Sequence, residues 1–425
     1  MKYLFALGKF PQISAYEIKS YLLARGIEFA EISEFLNEMP FAIYDIKGTI
    51  YPKKMIEELG GTVKIARVIA EVDTKKILHA FPKQAEKKGK AAARRKISEV
   101  KYNTKELEIL LKTLPKDFIL NRLPPAEIGV SVYFWSESGL EKMVWQEFGN
   151  FLGRLLHEIN PTPSIVFPSD TKYSESSFLI PSESFARNYG RGNSELIAGV
   201  GKEKTYLGVA EAIYDMIMEV KRGNALLRPE HWKFGMRSRL AKILVNLSRA
   251  KAGDILLDPF CGIGTVLKEA MINDIHVIGR DLDGNAAKFA ALNCNDTIKY
   301  YGKNISYNVK QGDARKIELA DNSVDAVATE PYLGETLKQR PKQDYANSII
   351  NQLRPIYTKN LEEIYRVLKP GKHCAIIAPL ISTGRGQVRI DVKKIAQRIG
   401  FEVKAPLVEG EKMQTVKREI YVLRK

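Results

Sequence analysis

LLDPFCGIGTVLKEA, Leu256 to Ala270, reads as the end of a buried strand, a glycine turn and the first turns of a helix. Ile255, Leu256 and Leu257 form an apolar run that Asp258 and Pro259 close, and Val266, Leu267, Glu269 and Ala270 continue at helical spacing. Strand, turn and helix in that order open a parallel α/β domain, in which a ligand sits at the strand's carboxyl end. Gly262 and Gly264 carry no Cβ, so the backbone can turn sharply there and come close to a ligand. No Gly-Lys-Ser/Thr ending follows, which argues against a phosphate-gripping loop.

Working outward, a helix at 238–248 and a turn at Lys251 to Asp254 lead into this strand. The alternation continues with a strand at 276–281, a helix at 286–294, a strand at 306–313 and a strand at 324–329. A helix at 350–368, a strand at 373–378, a helix at 392–399 and strands at 401–405 and 418–423 complete it. Five parallel strands with intervening helices, then an antiparallel pair, are expected.

Asp281 lies 23 residues beyond Asp258, at the end of the second strand. There a carboxylate can accept hydrogen bonds from both hydroxyls of a ribose diol. Asp283 is the nearby alternative, and Asp313 ends the third strand within QGDAR. Any one such aspartate is ordinarily a turn or helix-capping residue. Three at successive strand ends, behind one glycine turn, point together to a nucleoside ligand. A nicotinamide enzyme would show Gly-x-Gly-x-x-Gly, which is missing here.

The first half reads differently. Strands at 3–7, 42–46 and 63–72 alternate with helices at 13–23 and 52–59, a small α+β layer of ferredoxin-like character. Residues 83–96, KQAEKKGKAAARRK, set seven basic side chains against Glu86 alone. Such a run is usually a solvated linker. In a chain with 66 Lys plus Arg against 50 Asp plus Glu, a net charge of +16, it is also a candidate contact for RNA phosphates. A helix at 104–114, a strand at 127–135, a helix at 139–159 and short strands at 164–167, 177–180, 194–200 and 205–210 follow.

Apolar content of 45% and charged content of 27% are those of a globular chain, and 425 residues call for two or three domains. Three dispersed cysteines and five scattered histidines give neither a disulfide framework nor zinc-ligand spacing, so no metal is expected. No apolar run reaches about 18 residues, and the opening MKYLFALGKFPQ has no small-residue cleavage site. A reduced, cytoplasmic protein with no membrane partner is expected.

The string DPFCGxGT resembles motif I of class I S-adenosylmethionine-dependent methyltransferases acting on exocyclic amines of nucleobases. YLFALGKFPQISAYEIKSYL, LGGTVKIARVI (59–69), IGVSVYFW (128–135) and KTYLGVAEAIYD extend the resemblance over nearly the whole length. They are similar to THUMP-domain RNA methyltransferases of the tRNA guanosine-10 N2-methyltransferase group. The fold class this implies is α/β: a C-terminal class I, Rossmann-like methyltransferase domain behind an N-terminal ferredoxin-like plus THUMP α+β module. The divisions expected are 1–75 ferredoxin-like, 76–203 THUMP-like with the basic linker 83–96, 204–237 connector and 238–425 methyltransferase. The resemblance implies S-adenosyl-L-methionine as cofactor, lined by Asp258, Phe260, Gly262, Gly264, Thr265, Asp281, Asp283, Asp313 and Ala314. It implies tRNA, or another structured RNA, as partner, met by Lys87, Lys88, Lys90, Arg94, Arg95 and Lys96. It places an amine pocket, the catalytic residues, at Thr329, Glu330, Pro331 and Tyr332.

That pocket departs from its pattern. The group has Asp/Asn-Pro-Pro-Tyr/Phe, because an aromatic amine's lone pair is delocalised and two acceptors localise it while the aromatic stacks on the base. Here Thr329 stands for Asp/Asn and Glu330 for the first proline. Glu330 offers a replacement carboxylate, or else caps a helix or pairs with Lys338. Arg237-Ser238 also stands where the group often carries a proline. The implied activity is N2-methylation of a guanosine in tRNA. The rivals are an rRNA or DNA amino methyltransferase and a tRNA-binding protein that keeps the cofactor fold without turnover.

Overall fold

Short amphipathic and apolar segments, punctuated by glycine and proline, build two separate sheets in the computed structural model. It describes residues 1–32, 39–80, 127–134, 142–159, 164–166, 193–215, 236–411 and 413–425. The first half runs β1 (Lys2–Leu7), α1 (Pro11–Ala24), β2 (Phe29–Glu31), β3 (Phe41–Ile46), α2 (Pro52–Glu58), β4 (Thr62–Asp73) and α3 (Thr74–Ala80). It continues with β5 (Glu127–Phe134), α4 (Lys142–Ile159), β6 (Ser164–Val166), β7 (Asn193–Val200) and β8 (Lys204–Ile213). Its sheet has the order β2-β3-β1-β4-β8-β7-β5-β6. The first four strands have the βαββαβ connectivity and antiparallel pairing of a ferredoxin-like layer. Phe148, Phe151, Leu152 and Leu155 of α4 pack with Ile128, Val130 and Val132 of β5 in a buried cluster.

Two features of this half correct the expected divisions. The strand expected at 205–210, assigned to the connector, is β8 (Lys204–Ile213), paired antiparallel with both β4 and β7. It is buried continuously from Thr205 to Ala210, so it belongs to the sheet rather than to a link. Second, the chain divides by contacts into Met1–Pro11, Glu28–Glu57 and Thr62–Asp215 on one side, and Gln12–Ile27, Glu58–Gly61 and Met216–Lys425 on the other. Two N-terminal segments are therefore part of the second unit. The helix expected at 104–114, the strand at 177–180 and the basic run 83–96 lie outside the described residues.

The second unit contains α5 (Ser238–Leu247), β9 (Ile255–Asp258), α6 (Thr265–Ile272), β10 (His276–Asp281), α7 (Gly284–Tyr301), β11 (Tyr307–Gln311) and β12 (Val324–Thr329). Then come α8 (Gln343–Val367), β13 (Leu368–Thr383), β14 (Gly386–Arg389), α9 (Val392–Ile399), β15 (Glu402–Val403), β16 (Leu407–Glu409) and β17 (Val416–Arg424). The sheet order is β11-β10-β9-β12-β13-β17-β15, with β14 on β13 and β16 on β17. Strands β9 to β13 pair in parallel, and β17 runs antiparallel to β13 and to β15. The order reverses between β9 and β12, which opens a crevice at their carboxyl ends. Leu353, Tyr357, Leu361 and Ile364 of α8 close one face over Val327, Cys374 and Ile376. Among the described residues no helix is long and apolar enough to cross a membrane.

A buried carboxylate is the centre of the hydrogen bonds that fasten the N-terminal segments to the rest of this unit. Glu17 of α1, fully buried, accepts from the Gly60 and Gly61 amides at 2.7 Å each and from Asn246 Nδ2 of α5 at 2.8 Å. Asn246 also donates to the Glu58 carbonyl at 2.9 Å, and Arg239 Nε to the Gly60 carbonyl at 2.6 Å.

Candidate active site

The crevice is a cavity of about 610 Å³ lined by the ends of β9, β10 and β12 and by the loop after β11. At the end of β9, Asp258 is buried, and its Oδ1 accepts from the Phe260 amide at 3.1 Å and from Thr329 Oγ1 at 2.6 Å. Burial is the largest influence on this carboxyl and pushes it up to about 7, against the two hydrogen bonds that favour its charged form. Helix α6 starts on Gly264, whose φ of +86° suits a residue without Cβ. A Cβ there would also stand 3.1 Å from Ala290 Cβ of α7.

Asp281, ending β10, accepts from the Gly262 amide at 2.8 Å through Oδ2 and from the Asp283 amide at 2.9 Å through Oδ1. It thus ties the glycine turn to the second strand. Asp283 caps α7 instead, accepting from the Asn285 amide at 2.8 Å, and does not line the cavity. Asp313 lines it, but Arg315 grips the same carboxylate, with Nη2 2.8 Å from Oδ2 and Nε 3.0 Å from Oδ1. That guanidinium holds the Asp313 carboxyl below its usual range.

At the end of β12, Thr329 is buried with its hydroxyl committed to Asp258, and it does not line the cavity. Glu330, Pro331 and Tyr332 do. Tyr332 is 59% exposed, so its ring stands at the cavity edge, and its carbonyl accepts from Tyr357 Oη at 3.4 Å. Glu330 pairs not with Lys338 but with Arg418 of β17, whose Nε lies 2.5 Å from Oε1.

Of the residues expected to hold a cofactor, Asp258, Phe260, Gly262, Thr265, Asp281, Asp313 and Ala314 meet at the cavity. Gly264 turns the backbone behind it, and Lys87, Lys88, Lys90, Arg94, Arg95 and Lys96 lie outside the described residues. Outside the two motifs, sequence reading missed Met236, Leu282, Arg315 and Ile356 of the lining, and Arg418 behind it. Arg315 stands inside the quoted QGDAR. Arg418 lies 88 positions from Glu330 and has no local signal at all.

The lining suits a cationic nucleoside. Among the described lining residues, Asp258, Asp281 and Asp313 stand against one guanidinium, Arg315, with Glu330 paired to Arg418, which disfavours a phosphate and favours positive charge. A Cβ on Gly262, at φ +50°, would meet nothing within 4 Å, so the turn leaves room for a ligand. Thr265 Oγ1 is buried without a hydrogen-bond partner among the described residues, a polar atom that a ligand can satisfy. Leu282 is 67% exposed, an apolar surface for a flat ring.

Residues 227–380 match the RMKL-like methyltransferase domain family. The second unit has the fold of a class I methyltransferase domain. TrmN from Thermus thermophilus, a solved structure, aligns over 100% of both chains with a TM-score of 0.52 at 16% identity, a likeness of fold. A tRNA (guanine(10)-N2)-dimethyltransferase of Methanothermobacter thermautotrophicus is 39% identical over 107 residues, 25% of this chain and 30% of that protein. Its counterpart in Pyrococcus abyssi is 32% identical over 178 residues, 41% of this chain and 46% of that protein. The chain thus matches less than half the length of these relatives. Within the methyltransferase domain, the cavity described above occupies the switch point of the sheet, where such folds bind their ligands.

Proposed function

We propose that this chain is an S-adenosylmethionine-dependent RNA methyltransferase that modifies the exocyclic N2 of a guanosine in tRNA, in the cytoplasm. The observation that carries this is the juxtaposition, in one cavity, of a carboxylate-lined nucleoside cradle and an exposed tyrosine beside a carboxylate. The names of the similar proteins in Methanothermobacter and Pyrococcus support tRNA guanine as the acceptor. When bound, S-adenosylmethionine supplies a methyl group made electrophilic by its sulfonium. Asp281 and Asp258 would hold it at the strand ends, with the buried Thr265 hydroxyl and the Gly262 turn beside it.

The chain's own residues do the rest. Tyr332 presents a ring on which the acceptor base stacks, worth roughly 1–3 kcal/mol. The base must leave its own stack to reach that ring. Glu330 offers a carboxylate oxygen to the amine N–H and fixes its orientation. Most of the acceleration comes from this positioning of amine against methyl. The basic run at 83–96 supplies phosphate contacts that hold the RNA without reading it.

Incubation of the pure protein with tritiated S-adenosylmethionine and unmodified tRNA, rRNA fragments or duplex DNA tests the reading. Label in tRNA, recovered as N2-methylated guanosine on nucleoside mass spectrometry, is expected. Tyr332→Ala should lower the rate by about 10- to 100-fold at unchanged cofactor affinity, through removal of the stacking platform. Cofactor binding without transfer to any nucleic acid would leave a binding protein instead.

A further inference from the structure

Thr329 stands at the place from which a side-chain acceptor is expected to face the amine, yet its hydroxyl is buried and spent on Asp258. One residue further on, Glu330 lines the cavity with a carboxylate whose two oxygens have different surroundings. Oε1 accepts from Arg418 Nε at 2.5 Å, and Oε2 accepts no hydrogen bond from any described residue. Arg418 is in turn held by Glu409, 3.2 Å from Nη1 to Oε2. Sheet register fixes the arginine: on β17 it pairs with Pro379 of β13 on one side and Glu409 of β16 on the other. The backbone of Arg418 is thus fixed among three strands, its guanidinium is braced by Glu409, and it holds the carboxylate in one orientation.

Resting on the function proposed above, we propose that Arg418 is a positioning residue that aims Glu330 Oε2 at the acceptor base, and that this arrangement selects guanine over adenine. Guanine carries two donors side by side on its pairing edge, N1–H and the N2 amine. A carboxylate oxygen with free lone pairs accepts from either. Adenine carries an amine beside an unprotonated N1, whose lone pair would face the carboxylate. Leaving such a pair of acceptors opposed in a desolvated pocket is the kind of mismatch that yields large discrimination. The substitution of Glu for proline is thereby explained: the acceptor has moved one residue along the chain, and Arg418 supplies the rigidity that the proline would have given.

The test uses full-length protein and unmodified tRNA, with single-turnover methyl transfer, cofactor affinity by calorimetry and melting temperature measured for each variant. Arg418→Ala and Glu330→Gln should each slow transfer by about 100-fold, as when one preorganised polar partner is removed, while cofactor affinity changes by less than about twofold. The double variant should be no slower than either single one, because both remove the same interaction. Arg418→Lys should recover about tenfold of the loss, since it returns the charge without the planar fork. Should Arg418→Ala fold poorly, Glu409→Gln, which leaves the pair intact and removes only its outer anchor, should still slow transfer several-fold at unchanged melting temperature. Wild-type transfer rates in Arg418→Ala, or losses in the arginine and glutamate variants that multiply, would overturn the proposal and leave the methyltransferase reading standing. A wild type that methylates no RNA would overturn both.

Discussion

A buried aspartate shared between two strand ends sets the chemistry of the cavity. Asp258 takes one hydrogen bond from the turn that follows it and one from Thr329, across the switch point of the sheet. Burial raises its carboxyl to about 7, so its charge changes within the ordinary working range. For a cationic ligand the ionised form is the attractive one. Affinity for S-adenosylmethionine should therefore rise with pH between 6 and 8, about tenfold by calorimetry, and Asp258→Asn should flatten that rise. Folding carries the opposite sign. A carboxyl whose folded value lies above its unfolded one stabilises the fold below the unfolded value, and loses that contribution as pH climbs through about 7. Denaturation at pH 5 and pH 8 should show Asp258→Asn gaining stability relative to wild type as pH rises. An unchanged difference between the two proteins would place the titration elsewhere.

Elements built on strong local signals were legible in the sequence, and those defined by tertiary pairing were not. β9 announces itself through an apolar run closed by Asp258 and Pro259, β10 through a short run ending at Asp281 and β12 through one that stops before Pro331, and they occupy 255–258, 276–281 and 324–329. α8 begins at Gln343 rather than near 350, because its first two turns are mostly polar and carry little hydrophobic periodicity. The same holds for the last two turns of α7, which reach Tyr301. β2, β14 and β16 have three or four residues each at sheet edges, too short for any alternation to register. The carboxylates at strand ends were readable from spacing, whereas the partner of Glu330 depended on how β17 lies against β13 and β16. Helix α1 gives the sharpest case. Its periodicity marks a helix, but nothing in it tells that Glu17 is bound to Gly60, Gly61 and Asn246. Glu17→Ala strands the buried Gly60 and Gly61 amides without an acceptor, each at a cost of about 1–3 kcal/mol, and leaves Asn246 Nδ2 with the Glu58 carbonyl alone. The variant should melt well below wild type, with the transition of the methyltransferase unit itself shifted. A melting curve in which that unit is unaffected would show that α1 contributes nothing to it.

At the scale of the whole chain, charge and fold divide the labour. The cavity is acidic, suited to a cation, while the molecule carries a net charge of +16, suited to a polyanion. A ligand-binding site and a nucleic-acid surface of opposite sign can coexist in one chain because fields between exposed charges fade over about 8–10 Å at physiological ionic strength. RNA affinity should then depend on salt far more than cofactor affinity does. Each phosphate neutralised adds a counterion released, so the logarithm of the association constant falls linearly with the logarithm of salt concentration, by about 0.7 to 0.9 per neutralised phosphate. Replacing Lys87, Lys88, Lys90, Arg94, Arg95 and Lys96 by alanine should flatten the slope for unmodified tRNA by several units, slightly less than one for every phosphate left unneutralised. Cofactor affinity and the melting temperature should stay where they are, since the change removes charge and leaves the acidic cavity intact. Filter binding at salt concentrations from about 50 to 300 mM gives the slope directly, because electrostatic binding to RNA weakens steeply over that range. An unaltered slope would show that the run is only a solvated link, and that the RNA is held by the folded surfaces on either side of it in sequence.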